Sequence, residues 1–173
     1  MAQTPEEIVY AWWKNLNDAR DKTPNVFTPF NSGDSANLRR AKTLEEVLIN
    51  APAMYELKNR LAAQTIWENL EKNWDRIALI AAVLSHVRTD KNVNLPLALA
   101  ELTHKKDHSG STIKLRFQRL IQNQTPEEIF RPMIRMLTYL DEKTDVHYLA
   151  KALYFWNDNI RKEWAIEFYK NVK

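Results

Sequence analysis

Arg116 and Arg119 stand three residues apart in a stretch, residues 111–121, that reads as one turn of helix after another. At about 100° per residue, Ile113, Phe117, Leu120 and Ile121 share one stripe, and the two arginines sit together on its flank. Lys114 falls on the opposite flank. Just upstream lies a polar, basic loop, residues 103–110, carrying Lys105 and Lys106. A guanidinium stays charged at any working pH and offers several N–H donors in a rigid fork. Two of them beside a loop of ammonium groups suit a phosphate backbone. The plainer alternative is an amphipathic helix with solvated arginines, which is common at helix flanks.

Other chemistry has little to work with. The chain has no cysteine, so disulfides and thiolate zinc sites are excluded, as suits a reducing cytosol. The His104-x-x-Asp107-His108 cluster has metal-ligand residue types, but its two intervening lysines repel a cation, and we expect no metal and no cofactor. Paired carboxylates at Glu6-Glu7, Glu45-Glu46 and Glu127-Glu128 are explained by helix starts, where they complement the macrodipole. Walker glycines and the G-x-S-x-G elbow do not occur. Enzymatic activity is therefore not expected. His86 reads as a core or rim histidine. The six Trp, six Tyr and six Phe could stack bases, but most fall on helical stripes with aliphatic neighbours and read as core. Tyr154, off the stripe of its helix, is the exception and is expected to be exposed.

Charge is unevenly spread. Residues 76–124 carry eight Lys/Arg against three Asp/Glu, and residues 31–42 carry three against one, in Arg39, Arg40 and Lys42. Residues 43–75 reverse this, with six acidic against three basic. Such segregation is what a nucleic-acid footprint requires. The overall balance of hydrophobic and charged residues belongs to a soluble globular chain of one domain, with two lobes (about 1–102 and 111–173) conceivable across the basic loop. The first residues lack a signal-peptide pattern, and the longest apolar run, 77–84, is far short of a membrane span, so a cytoplasmic protein without membrane contact is expected.

The elements that must carry these residues are helices. Three T-x-x-E sequences, at Thr4, Thr43 and Thr125, mark helix starts, two of them with Pro next. Residues 21–42 read as a long loop, with Pro24, Pro29 and the stretch 31–34 as breakers. Pro52 opens a helix burying Met54, Tyr55, Leu57, Leu61 and Ala62. A long helix is expected from about Thr65 to Val87, its segment 77–83 apolar nearly all round and so central. Asn94 precedes a short helix. Ser111 or Thr112 is expected to cap the arginine-bearing one. Pro132 should kink or split the helix begun at Thr125. Asp145 caps another, and Ile160, Trp164, Phe168 and Val172 repeat every four residues in the last. Nothing alternates with period two, so no sheet is expected. The expectation is an all-α, compact bundle of eight to nine helices.

Several segments together resemble a known family. They are Val9-Tyr10-Ala11-Trp12-Trp13, Asn37-Leu38-Arg39-Arg40-Ala41, Pro52-Ala53-Met54-Tyr55, Ser109-Gly110 and 115–121. Further on come Met133-Ile134-Arg135-Met136-Leu137, Asp145 with Leu149-Ala150, Trp156, and the closing aromatic helix. In order and spacing they are similar to the CasB family, the small subunits of the type I-E CRISPR Cascade complex. The residues 21–36 and Pro132 depart from its pattern. The resemblance implies a non-catalytic, all-helical subunit that pairs head to tail along the belly of Cascade. It would contact the backbone and large subunits and the crRNA, and hold target DNA, especially the displaced strand, so that the R-loop persists. Arg39, Arg40, Arg116 and Arg119 match the family's basic positions. Charge and spacing add Lys42, Lys105, Lys106, Lys114 and Arg135. A helical adaptor that docks only proteins is the competing reading.

Overall fold

Among the described residues the protein has twelve short elements, ten of them helices. The structure is a computed structural model and describes residues 2–64, 73–107 and 109–173. In chain order they are α1 (Pro5–Asp21), α2 (Ser32–Arg40), α3 (Leu44–Asn50), α4 (Pro52–Ala62), α5 (Trp74–Ser85), β1 (Thr89–Asp90) and α6 (Leu95–Leu102). Then come α7 (Ser109–Gln122), α8 (Pro126–Tyr139), β2 (Lys143–Thr144), α9 (Val146–Tyr154) and α10 (Asp158–Tyr169).

Capping chemistry fixes the starts. Thr4 and Glu7 close a reciprocal capping box on α1, and Thr125 accepts from the Glu128 N–H on α8. On α3 the hydroxyl of Thr43 takes the Glu46 N–H, while the Glu46 carboxylate reaches one residue further back, to the Lys42 N–H. Asn94, Asp145 and Asn157 cap α6, α9 and α10. Each such cap contributes about 1 kcal/mol.

The centre is α5, in which every residue from Ile77 to Ser85 is buried. α1, α2, α3, α4, α8 and α9 all pack on it. Trp12 and Trp13 enter from α1 and spend their indole N–H groups on the Ala53 and Val87 carbonyls, 2.9 and 3.0 Å away. A single apolar cluster runs from Ile8 to Phe168 and draws on residues both before and after 103–110. At its far end Phe117 of α7 stacks on Phe168 of α10, with ring centroids 3.9 Å apart.

Several expectations give way. Residues 21–42 are not one loop: 32–40 form α2, because Asn31 and Asp34 close a capping box and Leu38 is drawn into the core. α7 begins at Ser109, not after Ser111 or Thr112, so Gly110 lies in a helix, as does Gly33. The helix expected from Thr65 starts at Trp74, with Asn73 outside helical geometry (φ −121°, ψ 29°). Positions 65–72 lie outside the described residues. Tyr55 and Ala62 are exposed rather than buried. Tyr154 is buried, not exposed, because α9 packs on both α1 and α5 and so hides a wide arc. A minimal parallel pair, Thr89 with Lys143 and Asp90 with Thr144, replaces the expected absence of strands. α8 runs unbroken through Pro132.

Candidate nucleic-acid interface

The arginines that share a flank of α7 meet a third on α8. Arg116, Arg119, Pro132, Arg135 and Met136 line one cleft of about 180 Å³. Arg119 and Arg135 are exposed and Arg116 is half-buried. The apolar stripe of α7 positions its pair, because Ile113, Phe117 and Leu120 are sunk in the core. Met133, Met136 and Leu137 do the same for Arg135 on α8. Arg116 is held further: Nη1 donates to the Tyr139 hydroxyl at 2.6 Å, and its guanidinium lies 5.5 Å from that ring's centroid. This restricts its rotamers before any ligand arrives.

One turn before Arg135 stands Arg131, on the same exposed side of α8. Its Nε donates to the Lys42 carbonyl at 3.2 Å, which ties α8 to the junction of α2 and α3. The result is a basic stripe of Arg116, Arg119, Arg135 and Arg131 that ends at the Lys42 backbone. Glu127 and Glu128, in the first turn of α8, bound it at one end. Arg131 is not in the expected set, because a kink or split at Pro132 leaves its position open. Its four-residue spacing from Arg135 was the available signal.

The other expected residues are placed differently. Arg39 does not project freely: Nη2 donates to Glu142 Oε1 at 3.0 Å. Arg40, a turn of about 100° away on α2, borders an open cleft with Asn37, Glu46 and Asn50. Lys105 lines a separate cavity of about 320 Å³ with Lys91, Lys143, Glu101, Asp141 and Tyr139. Tyr139 therefore stands between this cavity and Arg116. Lys106 is exposed in the same loop. Lys114, across α7 from the pair, donates to the Lys173 carbonyl at 2.7 Å. So the structure joins Arg116, Arg119 and Arg135, meets Lys42 only through its backbone carbonyl, and sets Lys114 on another side.

His86 ends α5 half-buried near the stripe. Burial, then the charge of Arg39, pushes its imidazole down to about 4; Glu142 opposes this and Arg131 adds to it. A helix C-terminus ordinarily favours a protonated histidine, but desolvation and two guanidinium groups outweigh it here. His86 thus stays neutral and adds no charge. Among the described residues no three His, Asp or Glu side chains gather as a metal site. His108 lies outside them, and His104 pairs through Nε2 with the Asn171 carbonyl at 2.7 Å. No described helix is long and apolar enough to cross a membrane.

These features define an all-helical bundle with an arginine-lined cleft between α7 and α8. Residues 34–169 match the family of CRISPR-associated protein Cse2, and the chain belongs to that family. Cse2 and CasB are two names for the family that the sequence resembles. The fold is similar to that of a chain in the crystal structure of E. coli Cascade bound to a PAM-containing dsDNA target. The two are 19% identical, with a TM-score of 0.64 over 95% of this chain and 97% of that one. No curated protein matches the sequence.

Proposed function

We propose that this protein is the small subunit of a type I-E Cascade complex. In this reading it binds the sugar–phosphate backbone of the crRNA and target DNA, above all the displaced strand, and so keeps the R-loop open without catalysing a reaction. The observation that carries the reading is the convergence of Arg116, Arg119 and Arg135 on one cleft, extended by Arg131 to Lys42. Membership of the Cse2 family supports it, as does likeness in fold to a chain of a DNA-bound Cascade. The subunit would pair head to tail with a second copy beside the backbone and large subunits, in the cytoplasm.

The physical logic is one of small differences. Exchanging a DNA duplex for an RNA–DNA hybrid is nearly balanced in energy, as is known for another CRISPR effector. A few phosphate contacts then decide whether the loop persists. Guide pairing supplies sequence specificity, so this subunit needs backbone contacts and no base readout. About five such contacts give a log–log salt slope near −3.5 on single strands, roughly a hundredfold loss of affinity between 50 and 200 mM salt.

The test is charge reversal, R116E/R119E, in the assembled complex. Loss of R-loop lifetime with assembly intact is the expected result. Lost assembly, or no effect, would point instead to a protein-docking adaptor. A flat salt dependence would count equally against the reading.

A further inference from the structure

Glu142 is held in an unusual way for a surface carboxylate. Its two oxygens face two different guanidinium groups: Oε1 accepts from Arg39 Nη2 at 3.0 Å and Oε2 from Arg88 Nε at 2.8 Å. Arg39 comes from α2 and Arg88 from the segment between α5 and β1, so the carboxylate bridges elements that are far apart in the chain. Its backbone is fixed as well. The Glu142 carbonyl accepts from the Arg88 and Thr89 N–H groups, and its own N–H closes on the Leu137 carbonyl. With Asp141 N–H on the Thr138 carbonyl, this is a Schellman closure of α8. Both Asp141 (φ 54°) and Glu142 (φ 59°) are left-handed, a conformation that L residues adopt at a cost. The chain accepts two such residues in a row, and the carboxylate is delivered into the gap between the two arginines.

A carboxylate that presents one oxygen to each of two guanidinium groups imitates a phosphodiester, which offers two non-bridging oxygens at similar spacing. We propose that Arg39 and Arg88 form a phosphate-binding fork, distinct from the Arg116–Arg135 cleft, and that Glu142 occupies it when no nucleic acid is present. The ligand class is a single backbone phosphate. Arg88 is more than half exposed (58%), so the fork opens to solvent on that side. It lies within the electrostatic reach of His86, as does Arg131, which places it beside the stripe. Glu142 competes with free anions for the fork, so that these enter only at high concentration, and a polyanion already anchored on the stripe brings a phosphate close enough to replace it. This inference rests on the nucleic-acid reading above.

The experiment measures affinity for an oligo-dT strand as a function of salt, for wild type, E142Q and R88A/E142Q. Glutamine keeps an acceptor and the side-chain shape while removing the charge. E142Q should bind about fivefold tighter at low salt, with a salt slope steeper by about 0.7, one extra phosphate. R88A/E142Q should lose both gains. An E142Q protein with wild-type affinity and slope would overturn the fork and leave Glu142 as a structural clip. If E142Q does not fold, titrating wild type with inorganic phosphate decides. Saturable shifts of the Arg39 and Arg88 Nε resonances support the fork, and none overturns it. Failure of the two readings is separable. Phosphate uptake at the fork without any binding of DNA by wild type would remove the stripe and keep the fork. Salt-dependent DNA binding that E142Q leaves unchanged would do the reverse.

Discussion

The Asn123 side-chain amide donates to the Glu128 carbonyl at 2.9 Å, across the start of α8. That carbonyl is the one a residue at position 132 would have served, had Pro132 an N–H to give. Proline therefore removes a helix bond and Asn123 replaces it from outside. The Glu128 carboxylate adds a second tie to this turn, accepting from the Gln124 N–H at 3.1 Å. This is why α8 continues through Pro132 and why Arg131 and Arg135 remain on one face. Asn123→Ala should lower stability by about 1–2 kcal/mol, the cost of orphaning a carbonyl. In a Pro132→Ala background the backbone N–H returns, and the loss should shrink to a few tenths of a kcal/mol. A urea-denaturation double-mutant cycle reads the difference, and equal losses in both backgrounds would refute the compensation.

Helix starts were legible because capping is local: Thr4, Thr43 and Thr125 do what their spacing implies. Asn31 through Asp34 misled for the same reason. The residues of a turn are also those of a capping box, and only the burial of Leu38, a tertiary fact, selects the helix. Gly110 tells a similar story. A Cβ there would sit 3.2 Å from the Thr103 carbonyl, so the glycine permits close approach of α7 to the end of α6, not a loop. The charge count over 76–124 was correct but does not resolve location. Arg76, one of its eight, turns inward to the Tyr154 carbonyl at 2.6 Å. The pairing of Arg39 with Glu142, separated by 103 residues, had no local signature at all.

Tyr139 positions Arg116 without adding charge, and this separates its role from that of the basic residues. Tyr139→Phe keeps the ring beneath the guanidinium and removes the hydroxyl acceptor. Single-strand affinity should fall by about two- to fivefold, since a rotamer-rich side chain must then be ordered on binding. The salt slope should not change, because the number of neutralised phosphates is the same. A slope reduced along with affinity would mean that Tyr139 does more than hold Arg116.

The aromatic pair at the base of α7 supports the cleft from inside. Phe117 is fully buried against Phe168, so Phe117→Ala should cost about 3–5 kcal/mol. The lost support should loosen Arg116 and Arg119 before the whole molecule unfolds. Hydrogen exchange along α7, compared with α5, would show it. Uniform loss of protection in both helices would argue that α7 has no independence from the core.

His86 gives the protein an acid limit whose sign can be worked out. In the unfolded chain an imidazole protonates near its ordinary value of 6.5; in the fold, burial with Arg39 and Arg131 nearby lowers this to about 4, against the pull of Glu142. Between these values the unfolded state binds more protons than the folded one, so stability falls as pH drops from about 6.5 towards 4 and levels off below. The full effect is on the order of 3 kcal/mol. His86→Gln should flatten this part of the stability–pH curve without steepening it elsewhere. A polyanion on the stripe would screen Arg39 and Arg131 and so raise the imidazole value. The acid loss should then be smaller and level off at a higher pH in the presence of a bound strand. Thermal denaturation across pH 4–7, with and without oligo-dT, measures both. An unchanged slope in His86→Gln would assign the acid sensitivity to groups other than this imidazole.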